Sequence, residues 1–253
     1  MKYCISFFCI FITAFTLGCK QNSVTTQTGV ISGKVRLYNE SGDSISAIGV
    51  IVSTIPASNT VQTNDSGIWQ IKDIPFGSYT VVFTKQGFGS IKVFTVQLNG
   101  TDTVGIIQMT QPATDQINFQ TFLTGFTSPD SLPAFTAQGQ VPPPHAKARF
   151  IVLCISADSV LLTQDPSSAL LILQFVTDPN KTGYDGGFYW ASAKDSALHP
   201  HMFQHGQKIY ATLCVSGEGS GGAHFSNYYD PTLHKQIFTA LGPYTQILSA
   251  VTP

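Results

Sequence analysis

Short apolar segments that alternate with polar residues, cut at near-regular intervals by Gly, Asn, Asp and Pro, constrain this chain most. Ile68-Trp69-Gln70-Ile71-Lys72 and Tyr79-Thr80-Val81-Val82-Phe83 put every second apolar side chain on one face, the period of a strand with one buried side. Glu occurs only twice, at Glu40 and Glu218, while Thr, Ser, Val, Ile and Phe are abundant beside 22 Gly and 14 Pro. That balance favours strands and turns over helices. The expected fold class is all-β, with two β-sandwich domains in tandem.

Composition narrows the class further. Hydrophobic residues make up 43% of the 253 positions, enough for packed cores rather than disorder. Charged residues are 11% and the net charge is -1, so no basic field exists to hold nucleic acid.

The first residues address the compartment. Met1 and Lys2 precede an apolar stretch from Tyr3 to Phe15, and Leu17-Gly18-Cys19 closes it with small residues before a cysteine. This reads as a signal peptide, residues 1–18, because the stretch falls short of the roughly 20 residues a spanning helix needs. Cys19 after a small residue resembles the lipobox of bacterial lipoproteins, with Thr16 departing from its usual aliphatic residue. The resemblance implies cleavage before Cys19 and a lipid on its sulfur, so the membrane is an expected partner through that anchor. Ordinary secretion is the alternative. The location implied is the outer membrane, with the periplasmic face favoured because no acidic run follows Cys19.

Punctuation divides the rest. Residues 19–28 form a polar tether, and Thr110-Gln111-Pro112-Ala113-Thr114-Asp115 marks a break, giving a first domain over 29–110, a linker over 111–117 and a second domain over 118–253. Strands are predicted at Val30 to Leu37, Gly49 to Ser53, Ile68 to Lys72, Ser78 to Lys85 and Ile91 to Leu98, with turns at Asn64-Asp65-Ser66-Gly67 and Pro75-Phe76-Gly77.

The order Gly33 to Leu37 (GKVRL), Gly49 to Val52 (GVIV), Thr63 to Phe83 (TNDSGIWQIKDIPFGSYTVVF) and Lys85 to Phe88 (KQGF) resembles the carboxypeptidase regulatory-like domain. That resemblance covers Gly29 to Met109 and implies a transthyretin-like β-sandwich of the kind common in exported proteins of Bacteroidota. Gly67 and Gly77 are expected to supply turn dihedrals closed to other residues, while Trp69, Ile71, Tyr79, Val81 and Phe83 alternate into a core. The regulatory-like domain is not the peptidase. A zinc carboxypeptidase needs a His-x-x-Glu pair, and no His here is followed by Glu at that spacing.

In the second domain, apolar runs at Phe150 to Ile155 and Leu170 to Val176, and alternation through Lys208 to Val215 and Gln236 to Leu241, predict further strands. Gly206 to Val215 resembles the F strand of an immunoglobulin-like or fibronectin type III sandwich, in which a tyrosine, here Tyr210, ties a corner. Ser128 to Ala148, with Pro142 to Pro144, is expected to include a large loop. Cys154 and Cys214, each inside an apolar segment, are a candidate disulfide in an oxidising compartment, the alternative being two buried free thiols.

Residues that could carry chemistry are sparse. His199, His201 and His205, with His224 and His234 downstream, have metal-ligating side chains, yet Pro200 opposes a helix that would align them and solvated histidines are the favoured reading. Asp178 to Asp185 spaces oxygen ligands as calcium loops do, but it lacks a closing Glu, and a β-turn is favoured. Gly217 to Gly222 lacks the Lys-Ser/Thr of a phosphate loop and reads as a flexible hairpin loop. No cofactor, metal site or catalytic set is assigned. Asp-Ser/Thr-aliphatic triplets at Ser44, Thr103, Ser131, Ser159 and Ser196 resemble O-glycosylation acceptors of Bacteroidota, Asp-Ser turn chemistry being the alternative.

The reading that follows is a non-catalytic cell-envelope lipoprotein acting as a binding or scaffolding module for an envelope protein or polysaccharide. A carbohydrate-binding lipoprotein is the alternative, with Trp190, Tyr189, Tyr228 and Tyr229 stacking on sugar rings. A metal-dependent enzyme built on His199, His201 and His205 comes last.

Overall fold

The computed structural model describes residues 26–126, 133–140, 149–166, 169, 171–176, 203–219 and 227–252. Cys19 and residues 1–18, the expected signal peptide, lie outside them. The chain's regular elements are strands, apart from one six-residue helix among the described residues.

The first half holds β1 (Thr28–Tyr38), β2 (Ser44–Ile45), β3 (Ile51–Ile55), β4 (Thr60–Gln62), β5 (Ile68–Pro75), β6 (Gly77–Thr84), β7 (Ile91–Leu98) and β8 (Thr101–Thr110). One layer places β1 between β5 and β8, with β2 beside the end of β1. The other runs β4-β3-β6-β7. The pair β1 with β8 is parallel, and the remaining pairs are antiparallel. Ile31, Val35, Leu37, Trp69, Ile71, Ile74, Val81, Phe83 and Met109 fill the space between the layers, each at most 2% exposed.

The predicted strands are present, and the alternation of Trp69, Ile71, Tyr79, Val81 and Phe83 into the core holds. Gly67 takes φ +76, and a Cβ there would stand 2.0 Å from the Val35 carbonyl oxygen. Gly77 differs from expectation. It opens β6 without a left-handed φ, and a Cβ there would meet only ordinary contacts to the Tyr79 ring. The turn is held instead by the Tyr79 hydroxyl, which donates to the Pro75 carbonyl at 2.5 Å.

The second half holds β9 (Asn118–Phe126), β10 (Pro133–Gln140), β11 (Arg149–Ser156), helix α1 (Ser159–Gln164), β12 (Leu171–Val176), β13 (Lys208–Gly219), β14 (Asn227–Asp230), β15 (Lys235–Phe238) and β16 (Leu248–Val251). The main sheet runs β12-β11-β13-β16, while β9 pairs with β10 and β14 with β15. Phe119, Phe122, Ile151, Leu153, Ile155, Leu213 and Val215 form its core on one face. Val152, Cys154, Leu162 and Cys214 form a smaller core on the other, closed by Leu241, Tyr244 and Ile247. Strands β11 and β13 are therefore buried on both faces, which is why β11 reads as a continuous apolar run rather than as alternation.

Two expectations are corrected here. Pro133–Gln140, inside the expected loop of 128–148, is a strand in register with β9. Gly217 to Gly219 belong to β13 rather than to a flexible loop.

The break at 111–117 is not a free tether. Gln111 N donates to the Tyr38 carbonyl at 3.1 Å, and the Glu40 carboxylate accepts from both the amide and the hydroxyl of Thr114 at 2.7 Å. Ala113 and Ile117 are buried in the second core. A Cβ on Gly217 would stand 1.7 Å from the Gln111 carbonyl oxygen, and one on Gly242 2.4 Å from that of Ala113. A second contact comes from the β14–β15 hairpin, where the Tyr228 ring packs 6.1 Å from Phe94 of β7. Beside it, a Cβ on Gly89 would stand 2.1 Å from the Thr239 carbonyl oxygen.

Gly217→Ala must push backbone from backbone and is expected to cost about 2 kcal/mol or more. Gly105→Ala, with nothing within 4 Å of the added methyl, should stay within about 0.5 kcal/mol. Urea titration of both variants checks this; equal midpoints would show that the connector is not packed as described.

Candidate functional site

A groove of about 450 Å³ opens on the outward face of the β5-β1-β8 layer. Its origin is a bulge. Gly33 pairs with Val104 and Lys34 with Ile106, so Gly105 is an extra residue in β8, and a bulge of this kind bends the strand locally. Gly33 has to be glycine, because a Cβ would stand 2.4 Å from the Val104 carbonyl oxygen and 2.9 Å from Cζ2 of the Trp69 indole. Trp69, 2% exposed, is fixed edge-to-face on Phe83 at 5.5 Å, and its Nε1 has no acceptor among the described residues.

Register sets the walls. Lys34 lies between Ile68 on β5 and Ile106 on β8, two isoleucines that are 53% and 50% exposed. The next row inward places Ser32 between Gln70 and Thr103. The groove therefore combines an apolar pair, a cation, and hydroxyl and amide groups that both donate and accept. No nucleophile stands beside a base among these residues. A smaller concavity of about 300 Å³ lies between 116–119 and 243–246, where Gln246 Nε2 donates to the Phe119 carbonyl at 2.9 Å.

Of the two alternatives for the cysteine pair, the candidate disulfide is not formed: Cys154 and Cys214 are both buried free thiols. They lie on neighbouring strands but not opposite one another, since Cys154 faces Thr212 and Cys214 faces Val152. Such a diagonal places the α-carbons roughly 7–8 Å apart, beyond the reach of an unstrained bridge. The Cys214 Sγ instead lies 3.9 Å from the Val152 carbonyl. Burial, with the Asp165 carboxylate adding to it, pushes the Cys154 thiol up to about 12. Burial raises Cys214 and the neighbouring Tyr244 as well.

The other predicted residues scatter. His205 and His234 are exposed on separate turns, and among the described residues no three His, Cys, Asp or Glu side chains gather as metal ligands. His199, His201, His224, Trp190, Tyr189, Ser131, Ser196 and the stretch Asp178 to Asp185 lie outside the described residues. The half-buried Tyr228 ring packs against Phe94, whereas Tyr229 is 54% exposed. Tyr210 is packed against the smaller core with the Lys208 ammonium 5.3 Å from its ring centre.

Of the acceptor triplets, Ser44 and Thr103 are exposed, while Ser159 is half-buried at the start of α1. Asp158 caps that helix, its Oδ1 accepting from Val160 N at 2.8 Å and Leu161 N at 3.3 Å. Asp102 Oδ1 accepts from Thr103 N at 2.7 Å. Both aspartates thus have turn or cap roles whether or not a sugar is attached. Sequence reasoning missed the groove because its residues look like ordinary outward strand positions; the one signal was Gly105, breaking the apolar run of β8.

Residues 30–110 match the model of the carboxypeptidase regulatory-like domain. This segment is similar to the carboxypeptidase regulatory-like domain. No curated protein matches the chain. Among solved structures, a DUF3823 family protein from Bacteroides uniformis aligns over 90% of this chain and 100% of its own, at 12% identity and a TM-score of 0.28. A candidate carbohydrate-binding protein from the same organism aligns over 87% and 98%, at 12% identity and a TM-score of 0.26. A type II cohesin-X-dockerin complex from Acetivibrio cellulolyticus aligns over 32% of this chain and 56% of its own, at 20% identity and a TM-score of 0.29. The chain thus spans little more than half the length of that last structure. The groove lies wholly within the regulatory-like domain; the thiol cluster lies wholly outside it.

A thiol held protonated by burial does not react. In the folded protein Cys154 and Cys214 should resist a thiol-specific disulfide reagent at about pH 8 and react only on unfolding. Because their folded-state values are raised, stability is full below the ordinary thiol range and falls as pH climbs from about 8.5 toward the raised value. Fast labelling of the native protein at about pH 8 would contradict this arrangement.

Proposed function

We propose that this chain is a non-catalytic binding module of the cell envelope, held to the outer membrane by lipid on Cys19, with its periplasmic face favoured. The observation that carries the binding role is the groove on the β5-β1-β8 face. It is a shaped concavity on a rigid sheet, lined by side chains suited to contact and not to bond-making. Sites of that composition fix a ligand by apolar cover and a few placed polar groups. The pinned connector and the docked hairpin support the same reading, since a module that presents a surface benefits from a body that does not flex. Among the described residues no helix is long and apolar enough to cross a membrane, so attachment in this reading rests on the acyl chains, each buried methylene adding about 0.8 kcal/mol.

The carbohydrate-binding form of this reading is favoured by Ile68 and Ile106 flanking polar side chains, with Tyr229 exposed elsewhere. Sugars on Ser44 and Thr103 belong to the same picture, both hydroxyl-bearing residues being exposed.

Lipidation is testable directly. In cells fed an alkyne-tagged fatty acid the protein should take up label and partition into detergent, and Cys19→Ser should abolish both. Label retained by that variant would remove the anchor from the proposal. The binding role is tested by cross-linking in intact envelopes together with retention on immobilised envelope polysaccharides; capture of neither would refute it.

A further inference from the structure

We propose that the outward face of the β5-β1-β8 layer binds a linear acidic polysaccharide, with carboxylates along the chain meeting Lys72, Lys34 and Arg36. This rests on the carbohydrate-binding form of the reading above and names the class of sugar. Lys72 stands opposite Val30 at the bulge where β5 slips against β1, Lys34 lies at the centre of the groove, and Arg36 lies two residues further along the same face. From Val30 to Arg36 a strand advances roughly 20 Å. A stripe of three cations over that length complements an extended polyanion and not a point anion. Three nearby carboxylates accept hydrogen bonds within the fold. Asp102 accepts from the Thr103 amide, Glu40 from Thr114, and Asp43 from Asn39. Asp73, left-handed at φ +57 in the bulge, borders only the Lys72 end.

The chemistry of the walls selects a saccharide among polyanions. Over Ser32 to Lys34 the β1 strand is hydrogen-bonded to β5 on one side and β8 on the other, so the strand that carries Lys34 has no free edge for an acidic peptide to extend. No aromatic side chain faces outward from these rows to stack a nucleobase. What it offers instead is side-chain donors and acceptors, Ser32 and Gln70, beside the apolar surfaces of Ile68 and Ile106. A sugar ring presents that combination, hydroxyls at its rim and C–H groups on its faces.

The test is affinity electrophoresis of the full-length protein in detergent through gels containing polygalacturonate, its methyl ester, or poly-glutamate. Retardation by polygalacturonate alone is expected, fading as salt screens the charges. Lys34→Gln should weaken it at least about tenfold, the loss of one charge-assisted contact. Lys92→Gln, on β7 of the other layer, should leave it unchanged, and circular dichroism confirms that both variants fold. Equal retardation by Lys34→Gln overturns the assignment, as does poly-glutamate binding as tightly as the saccharide. Retardation by the neutral ester but not the acid overturns the acidic ligand while leaving carbohydrate binding intact. Retardation by no polysaccharide, with cross-linking still capturing an envelope protein, overturns the saccharide and leaves the scaffold reading standing.

Discussion

The arrangement of the described residues depends on how closely the backbone of 111–113 runs past Gly217 and Gly242. With hypothetical β-carbons only 1.7 and 2.4 Å from carbonyl oxygens, neither position can carry a side chain without moving main chain. The close approach lets Ala113 and Ile117 enter the second core, and it fixes where β9 begins. On the other side of the same segment, Gln111 bonds the end of β1 and Thr114 bonds Glu40. One stretch of backbone thus belongs to both halves. Because the contact joins main chain to main chain, it admits no adjustment by a rotamer, and a packed interior transmits any misfit instead of absorbing it. The β14–β15 hairpin repeats the device at a distance, returning to pack Tyr228 on Phe94 and Thr239 against Gly89.

How much of this was legible in the sequence follows from period. In the first half the layers have one buried and one wet face, so Trp69, Ile71, Tyr79, Val81 and Phe83 announce both strand and orientation. Strand β8 escaped because Gly105 breaks its alternation at the bulge and because its partner β1 is parallel, distant in sequence, with no hairpin turn to mark the pairing. In the second half, β11 was visible as a run, yet a strand buried on both faces shows no period to say which neighbour each side meets. Strand β10 was obscured by prolines on its flank. The 111–117 segment looked like a linker for a sound reason: Pro, Thr and Asp punctuate it, and nothing local records that distant glycines make room for its carbonyls.

The cysteines show the limit of counting residues. Two cysteines in apolar strands suggest a bridge, but strand register decides, and here it offsets them by two positions. Their role becomes that of small hydrophobes facing Leu162 and Tyr244. Tyr228 teaches the same lesson from the other direction. An aromatic pair, Tyr228 and Tyr229, reads as a stacking surface in one dimension; in three, alternation along β14 sends one ring into the junction between halves and the other into solvent.

The groove was invisible for a related reason: a depression on the outer face of a sheet is made of residues that individually look like solvated strand positions. What sets this face apart is the relation between positions. Gly33 lets the indole of Trp69 rise beneath the backbone, Gly105 bends β8 away, and the two isoleucines thereby flank Lys34 across a depression instead of along a flat layer. The same indole that anchors the core on Phe83 forms part of the groove floor. Core packing and surface shape are therefore one constraint, and enlarging Gly33 would disturb both at once, because the added atoms would press on Trp69.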